Sequence, residues 1–141
     1  MTIKKIKYMG DFTPAYQSDG AAGCDLTSSM DQVIEPQSWG VVPTGLFLEV
    51  PPGHEAQIRS RSGLAVKHGV FVLNGIGTVD SDYRGEIKVI LANMSHRPFI
   101  IKKGDRIAQM VFAQFSRAIF EKVDELSDTP RGAGGFGSTG R

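Results

Sequence analysis

Leu46-Phe47-Leu48-Glu49-Val50-Pro51-Pro52-Gly53-His54-Glu55-Ala56-Gln57-Ile58-Arg59 decides the fold class. Leu46, Leu48 and Val50 share one face, with Phe47 and Glu49 between them; after the Pro51-Pro52-Gly53 break, Ala56 and Ile58 alternate with Glu55, Gln57 and Arg59. A period of two belongs to strands, because successive side chains leave a pleated backbone on opposite sides. The stretch therefore predicts two half-buried strands joined by a tight turn. The same alternation returns outward from it, where Ile87, Val89 and Leu91 alternate with Glu86 and Lys88. Turn residues bound these runs at Asp80–Gly85, Asn93–Pro98 and Lys103-Gly104-Asp105. Many short strands between turns predict an all-β sandwich or barrel. The best helical candidate is Ser62–His68, about two turns long, with Ser62 placed to cap its start.

The chain has 141 residues, enough for one domain with its own core. Sixteen basic and 15 acidic residues leave a net charge of +1, which offers no electrostatic grip on a nucleic acid duplex but leaves room for a small anionic ligand. The single cysteine, Cys24, excludes an intrachain disulfide. Met1–Lys7 has three lysines with no apolar stretch behind them, and no apolar run reaches the length of a membrane span. A cytoplasmic protein is the expectation, with neither nucleic acid nor membrane as partner. His54, His68 and His96 are scattered, away from any zinc-ligand spacing, and Cys24 lacks an activating base. From Ser127 onward Phe136 is the only large apolar residue, and Arg131–Arg141 contains five glycines. The expected division is a β-barrel domain over 1–126 and a flexible glycine-rich tail over 127–141.

Several segments admit two readings. Gly132-Ala133-Gly134-Gly135-Phe136-Gly137 matches G-x-G-x-x-G, but no strand precedes it and no helix follows, so a dinucleotide site fails on context. As a P-loop it lacks the lysine before Ser138. It reads either as a disordered tail or as a segment that folds over a phosphorylated ligand, its glycines letting backbone N–H groups approach. Arg59-Ser60-Arg61-Ser62-Gly63-Leu64-Ala65 is either a capped turn with surface arginines or an anion site. Asp80-Ser81-Asp82-Tyr83-Arg84-Gly85 is, taken alone, a turn with a stabilising Asp, and Ala22-Gly23-Cys24-Asp25-Leu26 is a turn before a strand.

In order and spacing, five segments resemble the motifs of the trimeric dUTPase family: Ala22–Leu26, Arg61–Ala65, Asn74–Gly85, Gly104-Asp105-Arg106-Ile107-Ala108-Gln109, and Arg131–Gly140. The resemblance spans essentially the whole chain. It implies a distorted β jelly roll that assembles as a homotrimer, each active site being shared between subunits. The first, second and fourth motifs would bind phosphates and metal. The third would form a β-hairpin pocket for uracil and deoxyribose, and the fifth a mobile arm from another subunit.

The implied activity is hydrolysis of dUTP to dUMP and pyrophosphate with Mg²⁺. By resemblance, Asp80 would be the general base that activates water for attack on the α-phosphorus. Arg61, Ser62, Gly63, Gln109, Arg131, Ser138 and Thr139 would bind the phosphates. Asn74, Gly77, Val79, Tyr83 and Phe136 would hold the uracil and deoxyribose. Asp25 would hold metal-bound waters, with no direct protein ligand to Mg²⁺. Gly75-Ile76 stands where many relatives have Ser-Pro, and Cys24 where a larger apolar residue is usual. A dCTP deaminase on the same fold would need an acid–base residue, typically Glu, facing the pyrimidine, and Asn74–Tyr83 contains no Glu. A non-catalytic binding protein that kept the fold would not need Asp80, Arg61 and a complete arm together.

Overall fold

The computed structural model describes residues 5–140; residues 1–4 and 141, which the expected boundaries and the reading of Met1–Lys7 include, lie outside the described residues. The strands are β1 (Lys7–Met9), β2 (Cys24–Thr27), β3 (Gln32–Ile34), β4 (Ser38–Glu49), β5 (His54–Arg59), β6 (Val70–Val72), β7 (Gly77–Val79), β8 (Glu86–Asn93), β9 (Phe99–Ile101) and β10 (Arg106–Gln114). The helix among the described residues is α1 (Ser62–His68). The protein is all-β, and jelly-roll-like in layout. One antiparallel sheet runs β1-β4-β8-β6, a second runs β2-β10-β5-β7, and β3 pairs with β9 as a small ribbon.

The opening stretch behaves as its alternation requires. Leu46, Leu48 and Val50 are buried, as are Ala56 and Ile58 across the turn and Ile87, Val89 and Leu91 on β8. The two four-stranded sheets turn these faces toward each other: Val42, Leu46 and Val89 of one share a core with Leu26, Ile58 and Met110 of the other. On β4 a bulge between Pro43 and Leu46 breaks the ladder. The buried Thr44 hydroxyl repairs it, donating to the Ile87 carbonyl at 2.5 Å and accepting from the Leu46 amide at 3.2 Å. An unmet carbonyl there would cost about 1–3 kcal/mol.

Two local expectations are corrected. Ser62 is not the cap of α1 but its first helical residue; Arg61 is the N-cap, in extended conformation and without a side-chain cap bond. The backbone supplies the bonds instead, the Arg61 carbonyl accepting from the amides of Leu64 and Ala65 at 3.2 and 3.1 Å. Nor does Asn74–Gly85 form a hairpin of strands paired with each other: β7 is its one strand, and residues 80–85 are not in a strand. β6 pairs with β8 in the first sheet and β7 with β5 in the second, so residues 73–76 turn a corner between layers. Gly75, at φ +76°, takes the left-handed conformation that corner needs. Beyond Gln114 the chain runs to residue 140 without strand or helix.

Candidate active site

The singled-out residues fall into three groups, and the register of β5 separates the first two. In the first group, Asp25 on β2 stands opposite Gln109 on β10, which in turn stands opposite Arg59 on β5. Just past β5, Arg61 brings its Nε to 3.7 Å from Asp25 Oδ1, while its Nη1 donates to the Arg106 carbonyl at 2.9 Å. The Asp25 side chain is only 14% exposed, so its charge needs these partners. Gln109 Nε2 donates to the Ser60 carbonyl at 2.9 Å. A Cβ on Gly23 would fall 2.6 Å from Gln109 Oε1, so a glycine there is what lets the Gln109 amide lie where it does. Ser62 and Gly63, exposed at the uncapped start of α1, complete the group.

The second group surrounds Asp80. Val79 stands opposite Ala56 and Gly77 opposite Ile58. Asp80 therefore emerges level with Glu55, and the turn closes when the Tyr83 amide donates to the Asp80 carbonyl at 3.2 Å. The Tyr83 hydroxyl donates to the Glu86 carbonyl at 3.0 Å, and its ring lies over Gly85 in the space a Cβ would occupy. Asp80, Tyr83, Thr78 and Val79 line a pocket of about 380 Å³ with Val41 and Ile90. Asn74 is exposed at the corner before β7, and its Nδ2 would lie 3.3 Å from a Cβ on Gly77. Gly77 and Val79 themselves are buried.

Asp80 and Arg61 stand at opposite ends of β5, while Asn74, three residues before Gly77 and so beyond Ile58, lies toward the Arg61 end. Asp80 is level with Glu55, and Arg61 lies six residues further along. At about 3.3 Å per residue the separation is on the order of 15–20 Å. Within one chain Arg61 is engaged with Asp25 and the Arg106 carbonyl, and Asp80 stands at the other end of the strand.

The third group is the arm. Arg131 Nε donates to the Gly134 carbonyl at 2.7 Å, and reverse turns join Gly132 to Thr129 and Ser138 to Gly135. Phe136, at φ +50°, is fully exposed, and the arm's hydrogen bonds run among its own residues. Ser138 and Thr139 are exposed beside it.

Three participants escaped sequence reasoning. Arg106 Nη1 sits 3.3 Å from Asp25 Oδ2, and Gln17 Nε2 donates to the same oxygen at 2.8 Å. Gln17 lies in a loop with no periodic pattern; Arg106 could have been flagged, since Ile107 and Ala108 beside it break the period of two. Glu86 lines the Asp80 pocket, but its Oε1 accepts from the Gly45 amide at 3.0 Å and its Oε2 faces Lys88 Nζ at 3.9 Å. Cys24 is 2% exposed, donates to the Met110 carbonyl at 3.4 Å, and has its thiol pushed up by burial. That makes it a poor nucleophile.

Residues 12–140 match the dUTPase family model. Among curated proteins, a deoxyuridine 5'-triphosphate nucleotidohydrolase of Nautilia profundicola is 55% identical over 141 residues, covering 100% of this chain and 99% of its own. One of Cytophaga hutchinsonii is 52% identical over 142 residues, covering 99% and 92% respectively. Among solved structures, the Staphylococcus bacteriophage 80alpha dUTPase with dUPNHPP superposes with a TM-score of 0.91 at 24% identity, over 99% of this chain and 100% of that one. At that identity the likeness speaks for the fold.

Proposed function

The chain belongs to the dUTPase family, and from that premise we propose that it is a dUTP diphosphatase, hydrolysing dUTP to dUMP and pyrophosphate at sites shared between the subunits of a homotrimer. The decisive observation is the separation along β5 of a cationic group around Arg61 from the Asp80–Tyr83 pocket. In this reading one chain supplies Asp80 and another supplies Arg61 to the same substrate. Apolar surface supports the assembly. Val41 and Ile90 line the Asp80 pocket, Val41 being 44% exposed, and Ile119, Phe120 and Leu126 project fully beyond the last strand.

The deoxyribose lies at the pocket of Asp80 and Tyr83, and the uracil along β7 toward Asn74. Asn74 donates and accepts toward the uracil edge, and the backbone of Gly77 and Val79 supplies the rest of the pairing. Cytosine would leave buried groups unpaired. Tyr83 packs under the sugar, held by its bond to the Glu86 carbonyl, and leaves no room for a 2′-hydroxyl. Asp80 accepts a proton from the water that attacks the α-phosphorus. Arg61, Ser62, Gly63 and Gln109 of another chain bind the phosphates. From a third, Arg131, Ser138 and Thr139 close over them while Phe136 stacks on the uracil. The rest of the catalysis is positioning and charge neutralisation.

Asp25 is a single carboxylate beside two arginines, and among the described residues no three His, Cys, Asp or Glu side chains gather as a metal cage. That donor set suits Mg²⁺ carried in on a triphosphate with its own waters, which Asp25 would hold by hydrogen bonds. Bound there, Mg²⁺ would neutralise charge on the triphosphate oxygens.

Pyrophosphate release from dUTP, with and without Mg²⁺, tests the assignment directly. Ammonia release from dCTP in its place would move the protein to the deaminases. Neither product would leave a non-catalytic binding protein.

A further inference from the structure

The register of β10 contains an irregularity that serves one side chain. Gln109 stands opposite Asp25 and Ala108 opposite Leu26, but the next pair is Arg106 with Thr27. Uninterrupted pairing would set Ile107 against Thr27 and Arg106 against Ser28. Ser28 is 2% exposed and shares the inward side of Leu26, so an unbulged Arg106 would aim at the core. One extra residue, Ile107, reverses this: Ile107 and Ala108 are both buried, at 1% and 0% exposure, and Arg106 emerges on the side of Asp25 and Gln109.

There Arg106 acts twice. Its Nη1 lies 3.3 Å from Asp25 Oδ2, which also accepts from Gln17 Nε2 at 2.8 Å. Its carbonyl accepts from Arg61 Nη1 at 2.9 Å. The other oxygen of Asp25, Oδ1, faces Arg61 Nε at 3.7 Å, too far for a hydrogen bond. One carboxylate oxygen is thus doubly held, and the second keeps its accepting capacity beside a guanidinium fixed from behind.

We infer that Arg106 and Gln17 are positioning residues, which fix Asp25 and Arg61 in advance for the β- and γ-phosphates of the substrate and the cation they carry. The inference rests on the proposed dUTP hydrolysis. It distinguishes the distal phosphates, where these residues act, from the pocket of Asp80 and Tyr83 at the far end of β5, where they do not.

The test is calorimetric binding of the imido analogue dUPNHPP with Mg²⁺, and separately of dUMP, to the wild type and to Arg106→Ala, Arg106→Lys and Gln17→Ala. Removing a partner of a carboxylate that orients a metal site costs on the order of 10-fold in affinity. Arg106→Ala should weaken the analogue by about that factor and leave dUMP unaffected, and in turnover the loss should fall more on KM than on kcat. Arg106→Lys should restore part of it as a point charge without the fork. Gln17→Ala should shift in the same direction by less. Equal losses for dUMP and the analogue would reveal a merely structural role and overturn the inference. So would unchanged analogue binding in all three variants. A wild type that binds neither ligand would sink the proposed function, and this inference with it.

Discussion

At Asp80, replacing one oxygen by nitrogen keeps the shape of the side chain and removes its ability to take a proton. Asp80→Asn should therefore bind dUTP and lose about 10²-fold or more of kcat; steady-state turnover near the wild-type rate would rule out the general-base role. Tyr83 is held at its hydroxyl end, which lies against Gly85 and donates to the Glu86 carbonyl. Tyr83→Ala should narrow the ratio of kcat/KM between dUTP and UTP, and an unaltered ratio would remove Tyr83 from the sugar site. Gly23 acts by lacking a side chain. In Gly23→Ala the new carbon meets the flexible end of Gln109, 2.6 Å away, rather than backbone. The melting temperature should hardly move, while the Gln109 bond to Ser60 is lost and the KM for dUTP rises.

Among the elements, the arm and the β10 bulge differ in what they ask of the fold. The arm's hydrogen bonds close on themselves, and its glycine-rich sequence offers only Phe136 to bury. We expect deletion of residues 131–141 to leave the unliganded melting temperature nearly unchanged and to abolish most of kcat, because closure excludes water from the reacting phosphates. A truncated enzyme at the full rate would reduce the arm to a tail. The bulge belongs to the core: Ile107 fills it while Arg106 leaves it. Straightening β10 would exchange those two side chains between core and surface.

For the whole molecule, the geometry of β5 makes a prediction that no single chain can satisfy. If Asp80 of one copy works with Arg61 of another, Asp80→Asn and Arg61→Ala proteins should each be nearly inactive, yet regain activity when unfolded and refolded together. With random mixing, each site needs an intact Asp80 from one chain and an intact Arg61 from its neighbour, so roughly a quarter of the sites should work. A mixture no more active than its components would mean that each site is built within one chain, and sedimentation as an active monomer would agree with that result.

The sequence alone determined the fold class and the half-buried strands at its centre. Alternation about Leu46–Arg59 and Ile87–Leu91 marks which faces are buried, because burial on one face of a pleat requires a period of two. The span of α1 was legible from Ser62 to His68, and the five motifs identified the family that the comparisons then showed. The cap of α1 was not legible, because backbone bonds to the Arg61 carbonyl do the work that the Ser62 hydroxyl was expected to do. The corner at residues 73–76 was not legible either: a turn between two short strands looks the same whether they pair with each other or with different sheets, and only the ladders to β5 and β8 decide. Arg106 and Gln17 reach Asp25 from 81 and 8 residues away, one re-aimed by a bulge and the other carried by an irregular loop. The distance between Asp80 and Arg61 likewise depends on strand register. Periodicity states which side of a strand a residue faces; only pairing states what stands beside it.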